Sequence, residues 1–142
     1  TCILRTNYFG LSAVTNRSSF LDWIVDSIQE SKRISIYKNV FFTPVGSTTL
    51  CSVIAMIIEN KTTGTYNLGS NKRISKADFA WAVANVMQIP NPKFTPVDYP
   101  TNALVKRPDN MSMNSEKLLN TLSIDPVLIE HEIKRELESL IT

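Results

Sequence analysis

The sequence is poor in glycine and histidine, and this shortage excludes several kinds of site. Its four glycines, at positions 10, 46, 64 and 69, are too far apart to form a Gly-x-Gly-x-x-Gly turn. Ser70 follows the last of them, where a phosphate-binding P-loop requires lysine. His131 is the only histidine and lies among charged residues, so it indicates a solvent-exposed helix position rather than a cluster of metal ligands.

The sequence also lacks an excess of charge and a long apolar run. Its 142 residues include 15 basic and 13 acidic side chains, a balance that argues against a nucleic-acid-binding surface. The longest apolar stretch, Leu50 to Ile58, is far shorter than the roughly 20 residues of a membrane span. No secretory signal is visible, and we expect neither a nucleic acid nor a membrane as a partner.

Cysteine is scarce as well. Cys2 and Cys51 both lie in apolar runs, which favours buried free thiols in a reducing compartment over a disulfide. A cysteine–histidine nucleophile would require one of them to meet His131, and nothing in the pattern indicates this. A cytoplasmic location is therefore expected.

Strands and helices are predicted to alternate along the chain. Apolar and alternating segments predict strands at "CILRTNYF", "ISIY", "GTYNL" and, as an edge strand, "KFTPVDYP". Ser19 with Asp22, and Ser75 with Asp78, have the spacing of helix starts. Further helices are predicted from Thr48 or Thr49 to Glu59, over 114–122, and from Asp125-Pro126 onward, with "FFTPVGSTT" as a loop.

This alternation predicts an α/β fold with a parallel core, yet the sheet would be small. The helix ending at Glu59 is apolar nearly all round, so it is expected to be sandwiched between two layers. About four short strands do not supply enough partners for that burial. The sequence therefore looks like part of a larger unit.

The order of the motifs resembles the C-terminal half of the extended short-chain dehydrogenase/reductases that act on nucleotide sugars, above all the dTDP-4-dehydrorhamnose reductases. The resemblance covers residues 3–140 and rests on segments whose order matches. These are "ILRTNYFG", "SSFLDWIVDSI", "ISIYKNVFFTPVGSTTLCSVIAMIIE", "GTYNLGSNKRISKADFAWAVA" and "RPDNMSMNSEKLLNTLSIDP".

The resemblance implies one unit over residues 1–142: the C-terminal part of a Rossmann-like parallel sheet with a small α/β substrate-binding lobe. In the family, the glycine-rich turn and the catalytic Tyr-x-x-x-Lys pair lie in an N-terminal cofactor-binding half, which would be missing here. None of the four tyrosines has lysine four residues later. The full-length protein that contains both halves, which we call the parent, would bind NAD(P). This chain alone is expected to bind no cofactor, to carry no catalytic residue and to be inactive.

The resemblance also implies three substrate-binding residues. Arg107, before Pro108, would bind the diphosphate of a nucleotide-diphosphate sugar, since guanidinium matches phosphate oxygens with paired donors. The alternative is a surface arginine in a structural salt bridge. Asn7 would contact sugar or phosphate, or else form a turn, and Thr43 would line the sugar side.

The implied function is the substrate-binding portion of an NAD(P)-dependent nucleotide-sugar reductase in deoxysugar or surface-polysaccharide precursor synthesis. An epimerase or dehydratase of the same family, and a non-catalytic regulatory subunit with this fold, are the alternatives. In the family's sheet, "ILRTN" and "GTYNL" lie side by side and parallel, and "ISIY" pairs with "FTPV" in the smaller lobe. The other edge of "ILRTN" would pair with the missing half, so self-association of this chain is expected, and a homodimer is possible for the parent.

Overall fold

The structure, a computed structural model, describes residues 1–141 and has the α/β fold that the sequence predicts. Strands and helices alternate over most of the chain. In chain order they are β1 (Cys2–Phe9), α1 (Phe20–Gln29), β2 (Ile34–Tyr37), β3 (Phe41–Phe42), β4 (Pro44–Gly46), α2 (Ser47–Glu59), β5 (Gly64–Leu68), β6 (Ile74–Ser75), α3 (Lys76–Val86), β7 (Phe94–Val97), α4 (Glu116–Leu122) and α5 (Ile129–Ile141).

The largest sheet has the order β4-β1-β5, with β1 parallel to both neighbours. Ile3 pairs with Thr65 and Thr6 with Leu68, so the predicted parallel pairing of β1 and β5 is confirmed. The predicted pairing of β2 with β7 is also confirmed, and these strands run parallel. Parallel strands need a crossover between them, and α2 supplies it for β4 and β5.

Two parts of the strand prediction are wrong. The segment predicted as a loop, "FFTPVGSTT", contains β3 and β4, and β3 pairs antiparallel with β6. Strands of two or three residues are too short to show a hydrophobic period. In addition, the second neighbour of β1 was placed outside the chain, whereas β4 pairs with β1 over Asn7–Phe9. Among the described residues, β5 is the one strand paired with Cys2–Thr6.

Helix α2 has one face covered by the described residues, and its burial between two layers of a larger unit stays a prediction. Val53 and Ile57 are buried against the β4-β1-β5 sheet. Ile54 and Ile58 are 42 % and 70 % exposed on the side away from it. The described residues provide a layer on one side of this helix, and its remaining apolar surface therefore faces outward.

Carboxylates from α5 cap the first turn of α2. Gly46 is the N-cap residue, and Thr48 and Thr49, the predicted caps, do not act as such. The Glu132 carboxylate, 4 % exposed as a residue, accepts from the Gly46 amide at 2.8 Å and from the Thr49 hydroxyl at 2.8 Å. The Glu136 carboxylate accepts from the Thr48 amide at 2.8 Å. Anionic groups suit this position because the amides of a helix N-terminus carry partial positive charge.

The two serine-started helices are confirmed. The Ser19 hydroxyl accepts from the Asp22 amide, and the Asp22 carboxylate accepts from the Ser19 amide, which completes a capping box. Ser75 likewise accepts from the Asp78 amide. Burial by itself would raise the pKa of the Asp22 carboxyl, but hydrogen bonds from Ser19 and from the Ser12 amide lower it overall.

Three smaller expectations have mixed outcomes. Helix α5 begins at Ile129, not at Pro126, so its predicted start is wrong. Cys51 is exposed and Cys2 half-buried, and the expected burial of both thiols is therefore wrong, although both are free of disulfides. His131 lies at an exposed helix position, as predicted.

Candidate functional site

Strand β3 holds together the two segments that carry Arg107 and Lys76. On one side the Phe41 amide donates to the Asp109 carbonyl at 2.7 Å, and the Met111 amide donates to the Phe41 carbonyl at 2.8 Å. On the other side β3 pairs with β6, and the Lys76 amide donates to the Val40 carbonyl at 2.9 Å. These backbone bonds fix the approach of both cationic residues to one region.

Both cations line one cavity of about 420 Å³, which we call the aromatic cavity. Its volume lies within the range of about 300–1,000 Å³ that small-molecule sites occupy. Four aromatic rings and several apolar side chains form most of its wall. The lining residues are Phe20, Trp23, Ser35, Ile36, Tyr37, Val40, Lys76, Tyr99, Arg107, Pro108 and Met111.

Arg107 is exposed, and among residues 1–141 it forms no ion pair or hydrogen bond. The structural salt bridge considered as an alternative is thus not formed within the described chain. Two hydrogen bonds of Tyr99 hold the segment that precedes Arg107. The Tyr99 amide donates to the Asn39 side chain at 2.8 Å, and the Tyr99 hydroxyl donates to the Val105 carbonyl at 2.7 Å. The guanidinium is left available to a ligand in the cavity.

Lys76 is the first residue of α3, and its side chain lies against aromatic rings. The ammonium nitrogen is 3.5 Å from the centroid of the Phe42 ring and 4.6 Å from that of Phe20. Desolvation by burial lowers the pKa of this group from 10.5 to about 8. Aromatic faces attract a cation but do not neutralise it, and among the described residues no acidic side chain pairs with Lys76.

A second cavity, of about 400 Å³, lies at the carboxyl end of β1, and we call it the β1-end cavity. Thr6, Asn7 and Tyr8 contribute to its wall. The Thr6 Oγ1 and Asn7 Oδ1 atoms are buried without a hydrogen-bond partner. Buried polar atoms are nearly always paired in folded proteins, so these two are candidates to meet the polar groups of a ligand.

The two cavities adjoin each other. Phe20, Lys76 and Met111 line both of them. Two of the three residues predicted from the sequence, Asn7 and Arg107, therefore lie on two neighbouring cavities with shared wall residues, and we call the pair of cavities the groove.

Thr43, the third predicted residue, lies elsewhere. It is buried, and it lines a separate cavity of about 610 Å³ together with Gly69, Lys72 and Arg73. Its hydroxyl already accepts from the Met113 amide at 3.1 Å. The structure thus does not bring Thr43 together with Asn7 and Arg107.

Sequence reasoning missed Lys76 and the aromatic wall. Lys76 is one of many lysines and follows a helix cap, a position that carries no sign of burial. Tyr37 lies in the predicted strand "ISIY" and Tyr99 in the predicted edge strand "KFTPVDYP", and neither pattern indicates a shared cavity. What joins these residues is the pairing of β2 with β7 and of β3 with β6, which local sequence does not encode.

At the starts of α1, α2 and α3, amide groups that could bind a phosphate are already hydrogen-bonded to side chains. A dinucleotide cofactor places its pyrophosphate on the free amides of a helix that follows a strand of the parallel sheet. In α2 the amides of Gly46 and Thr48 are taken by the carboxylates of Glu132 and Glu136, which would also repel phosphate. In α1 and α3 the serine caps occupy the equivalent donors.

Two other kinds of feature are missing from the described residues. Within 1–141, no three His, Cys, Asp or Glu side chains are grouped as metal ligands would be. In the same range, no helix combines the length and apolar character needed to cross a membrane.

Several solved structures share this fold, and three of them show the range of similarity. The dTDP-4-dehydrorhamnose reductase of Yersinia enterocolitica superposes with a TM-score of 0.81 at 22% identity, over 97% of this chain and 49% of that chain. The enzyme of the same name from Bacillus anthracis, in complex with NADP, gives 0.82 at 19% identity over 97% and 48%. A UDP-N-acetylglucosamine 4-epimerase from Bacillus cereus gives 0.71 at 12% identity over 99% and 46%.

The chain spans about half the length of these solved structures. No curated protein matches its sequence. The family model described as the RmlD substrate binding domain matches residues 1–141. The chain therefore belongs to the RmlD substrate binding domain family, and the resemblance to extended short-chain dehydrogenase/reductases is confirmed by family and by fold.

Proposed function

We propose that this chain is the substrate-binding half of an NAD(P)-dependent nucleotide-sugar reductase, and that its groove binds a nucleotide-diphosphate sugar. The observation that carries the proposal is the aromatic cavity, which combines four aromatic rings with the two cations Lys76 and Arg107. Aromatic rings stack on a nucleobase, and a guanidinium binds diphosphate oxygens.

The Arg107 side chain would bind the diphosphate, as predicted from the sequence. It has no partner among the described residues, so binding a phosphate breaks no existing bond. The Asn7 and Thr6 side chains would accept hydrogen bonds from sugar hydroxyls in the β1-end cavity after a rotation that turns their buried oxygens toward the ligand. The proposed sugar contact of Thr43 stays a prediction, and it would require the ligand to reach the separate cavity.

Hydride transfer in the parent would rest with residues and NAD(P) in another half of the protein. Two observations support this division: the chain spans about half of its solved relatives, and its helix starts are closed by carboxylates and serines. In this arrangement the present residues would orient the substrate and exclude water from its nucleotide end. The parent would serve in the synthesis of deoxysugar or polysaccharide precursors in the cytoplasm.

An epimerase or dehydratase of the same family is the second candidate. The likeness to the UDP-N-acetylglucosamine 4-epimerase favours it, since substrate binding by such an enzyme would need the same groove. A regulatory subunit would bind the nucleotide without turnover. Assaying the parent for reduction, epimerisation and dehydration of dTDP- and UDP-sugars separates these three functions.

The binding proposal is tested by calorimetric titration of the 142-residue chain with dTDP and with UDP. We expect saturable binding of at least one of them, and an Arg107→Ala variant weaker by about tenfold to a hundredfold. Arg73→Ala is the matched control, because Arg73 is also exposed but stacks on Phe41 and lines the cavity of Thr43. Equal losses in both variants would contradict the assignment of the groove.

We also propose that the isolated chain self-associates through the edge of β1. The backbone groups of Cys2–Thr6 that face away from β5 pair with no strand among the described residues. An unpaired strand edge is a template for pairing with another chain. Ile3, on this segment, is 54 % exposed, which adds apolar surface to the contact.

A further inference from the structure

Lys76 lies where the two parts of the groove meet. It lines both the aromatic cavity and the β1-end cavity, together with Phe20 and Met111. A ligand that extends from one cavity into the other must therefore pass beside its side chain. The backbone is fixed there by the bond from the Lys76 amide to the Val40 carbonyl, so the side chain starts from a rigid position.

The ammonium group has no counter-ion. Among residues 1–141 it forms no ion pair, and no aspartate or glutamate lines either cavity. Asp78, on the same helix, is bonded to the Ser75 hydroxyl, and Asp22 of α1 is bonded to the amides of Ser12 and Ser19. The other titratable or charged side chains on these walls are those of Arg107, Tyr8, Tyr37 and Tyr99.

The chemistry changes along the groove from one end to the other. The aromatic cavity offers ring faces, which suit a planar base. The β1-end cavity is lined by the polar side chains of Thr6, Asn7 and Tyr8, which suit a group rich in hydroxyls. A nucleotide sugar has these same parts in this order, with two negatively charged phosphates between them.

We propose that Lys76 is the second diphosphate ligand of the groove, with Arg107, and that it binds the phosphates between a nucleoside in the aromatic cavity and a sugar in the β1-end cavity. This inference rests on the proposed function and adds to it a residue and an orientation of the ligand. An uncompensated, partly desolvated cation gains more from an incoming anion than a hydrated surface lysine does, because less solvation is lost on binding. The lowered pKa of Lys76 agrees with this environment.

The first test is the affinity of the 142-residue chain for dTDP, UDP, thymidine and uridine, measured by calorimetry at pH 7. We expect Lys76→Met to weaken binding of the preferred diphosphate by about tenfold to a hundredfold and to leave binding of its nucleoside unchanged. Lys76→Arg should lie closer to the wild-type chain than to the methionine variant. Lys93→Met is the matched control, since Lys93 is exposed and lines neither part of the groove, and it should bind like the wild type.

The second test reads the lysine directly. NMR of the chain with ¹⁵N-labelled lysine follows the titration of the Lys76 ammonium, assigned by its loss in Lys76→Met. Diphosphate contact should raise the pKa of Lys76 above its ligand-free value, because a nearby anion favours the charged form. A lysine with a merely structural role would keep its ligand-free pKa.

The outcomes separate the two proposals. If the wild-type chain binds neither dTDP nor UDP, the proposed function fails and this inference fails with it. If the wild type binds but Lys76→Met binds equally well, or the pKa of Lys76 does not move, the role of Lys76 is wrong while the proposed function stands. Equal weakening of diphosphate and nucleoside binding would likewise contradict a phosphate contact.

Discussion

Replacing Lys76 by methionine should stabilise the fold at neutral pH. The pKa of Lys76 is about 8 in the folded chain, against an ordinary value of 10.5. At about 1.36 kcal/mol per pKa unit, this difference corresponds to about 3 kcal/mol of unfavourable free energy when the group is charged in both states. Methionine has a similar length and could keep the contact with the Phe20 and Phe42 rings without a charge.

The sign of the pH dependence follows from proton binding. Between pH 8 and 10.5 the unfolded chain binds more protons at this lysine than the folded chain does, so stability rises with pH in that window. The cost of Lys76 is therefore fully present below pH 8 and fades toward pH 10.5. Between pH 7 and 10 this unfavourable free energy falls by about 2.5 kcal/mol. The attraction of the charged ammonium to the aromatic rings offsets about 1 kcal/mol of that change.

The assay is urea-induced unfolding of the wild-type chain and of Lys76→Met, each at pH 7 and pH 10. We expect the variant to be more stable at pH 7, and its advantage to shrink by about 1.5–2.5 kcal/mol at pH 10. Lys93→Met is the matched control, because Lys93 is exposed and its side chain has no ion pair among the described residues. If the variant has no higher free energy of unfolding than the wild type, or the same difference at both pH values, the inference that burial destabilises the charged form of Lys76 is wrong.

Three further predictions concern packing, capping and assembly. Gly69→Ala should destabilise the fold by about 1–3 kcal/mol, because the added Cβ would lie 2.4 Å from the Thr43 hydroxyl oxygen; urea unfolding should show no loss if that contact can relax. Glu132→Gln should cost about 1.5–3 kcal/mol by the same measurement, since an amide cannot accept at both oxygens as this carboxylate does at the start of α2. Light scattering at tens of micromolar should show association of the chain, and Ile3→Lys should reduce it, because a charge on a strand edge opposes pairing; a monomeric wild type would contradict the proposed edge contact.

The sequence by itself determined the class of fold and the signals that act within one turn or one strand. Ser19 and Ser75 start helices because each hydroxyl reaches an amide three residues on, and this interaction needs no other part of the chain. The parallel pairing of β1 with β5 followed from the family's motif order, which the sequence carries. The assignment of Asn7 and Arg107 as substrate-binding residues also followed from the family resemblance.

Only the tertiary structure decided which side chains meet. The carboxylate of Glu132 accepts a hydrogen bond from the Gly46 amide, 86 positions away, and no local sequence pattern predicts such a bond. The uniform apolar character of α2 predicts two covered faces, and only the structure shows which face the described residues cover, because burial depends on the layers beside the helix. Lys76 and Arg107 share a cavity because β3, two residues long, bonds to the segments carrying both, and backbone pairing of this kind joins residues irrespective of their distance along the chain.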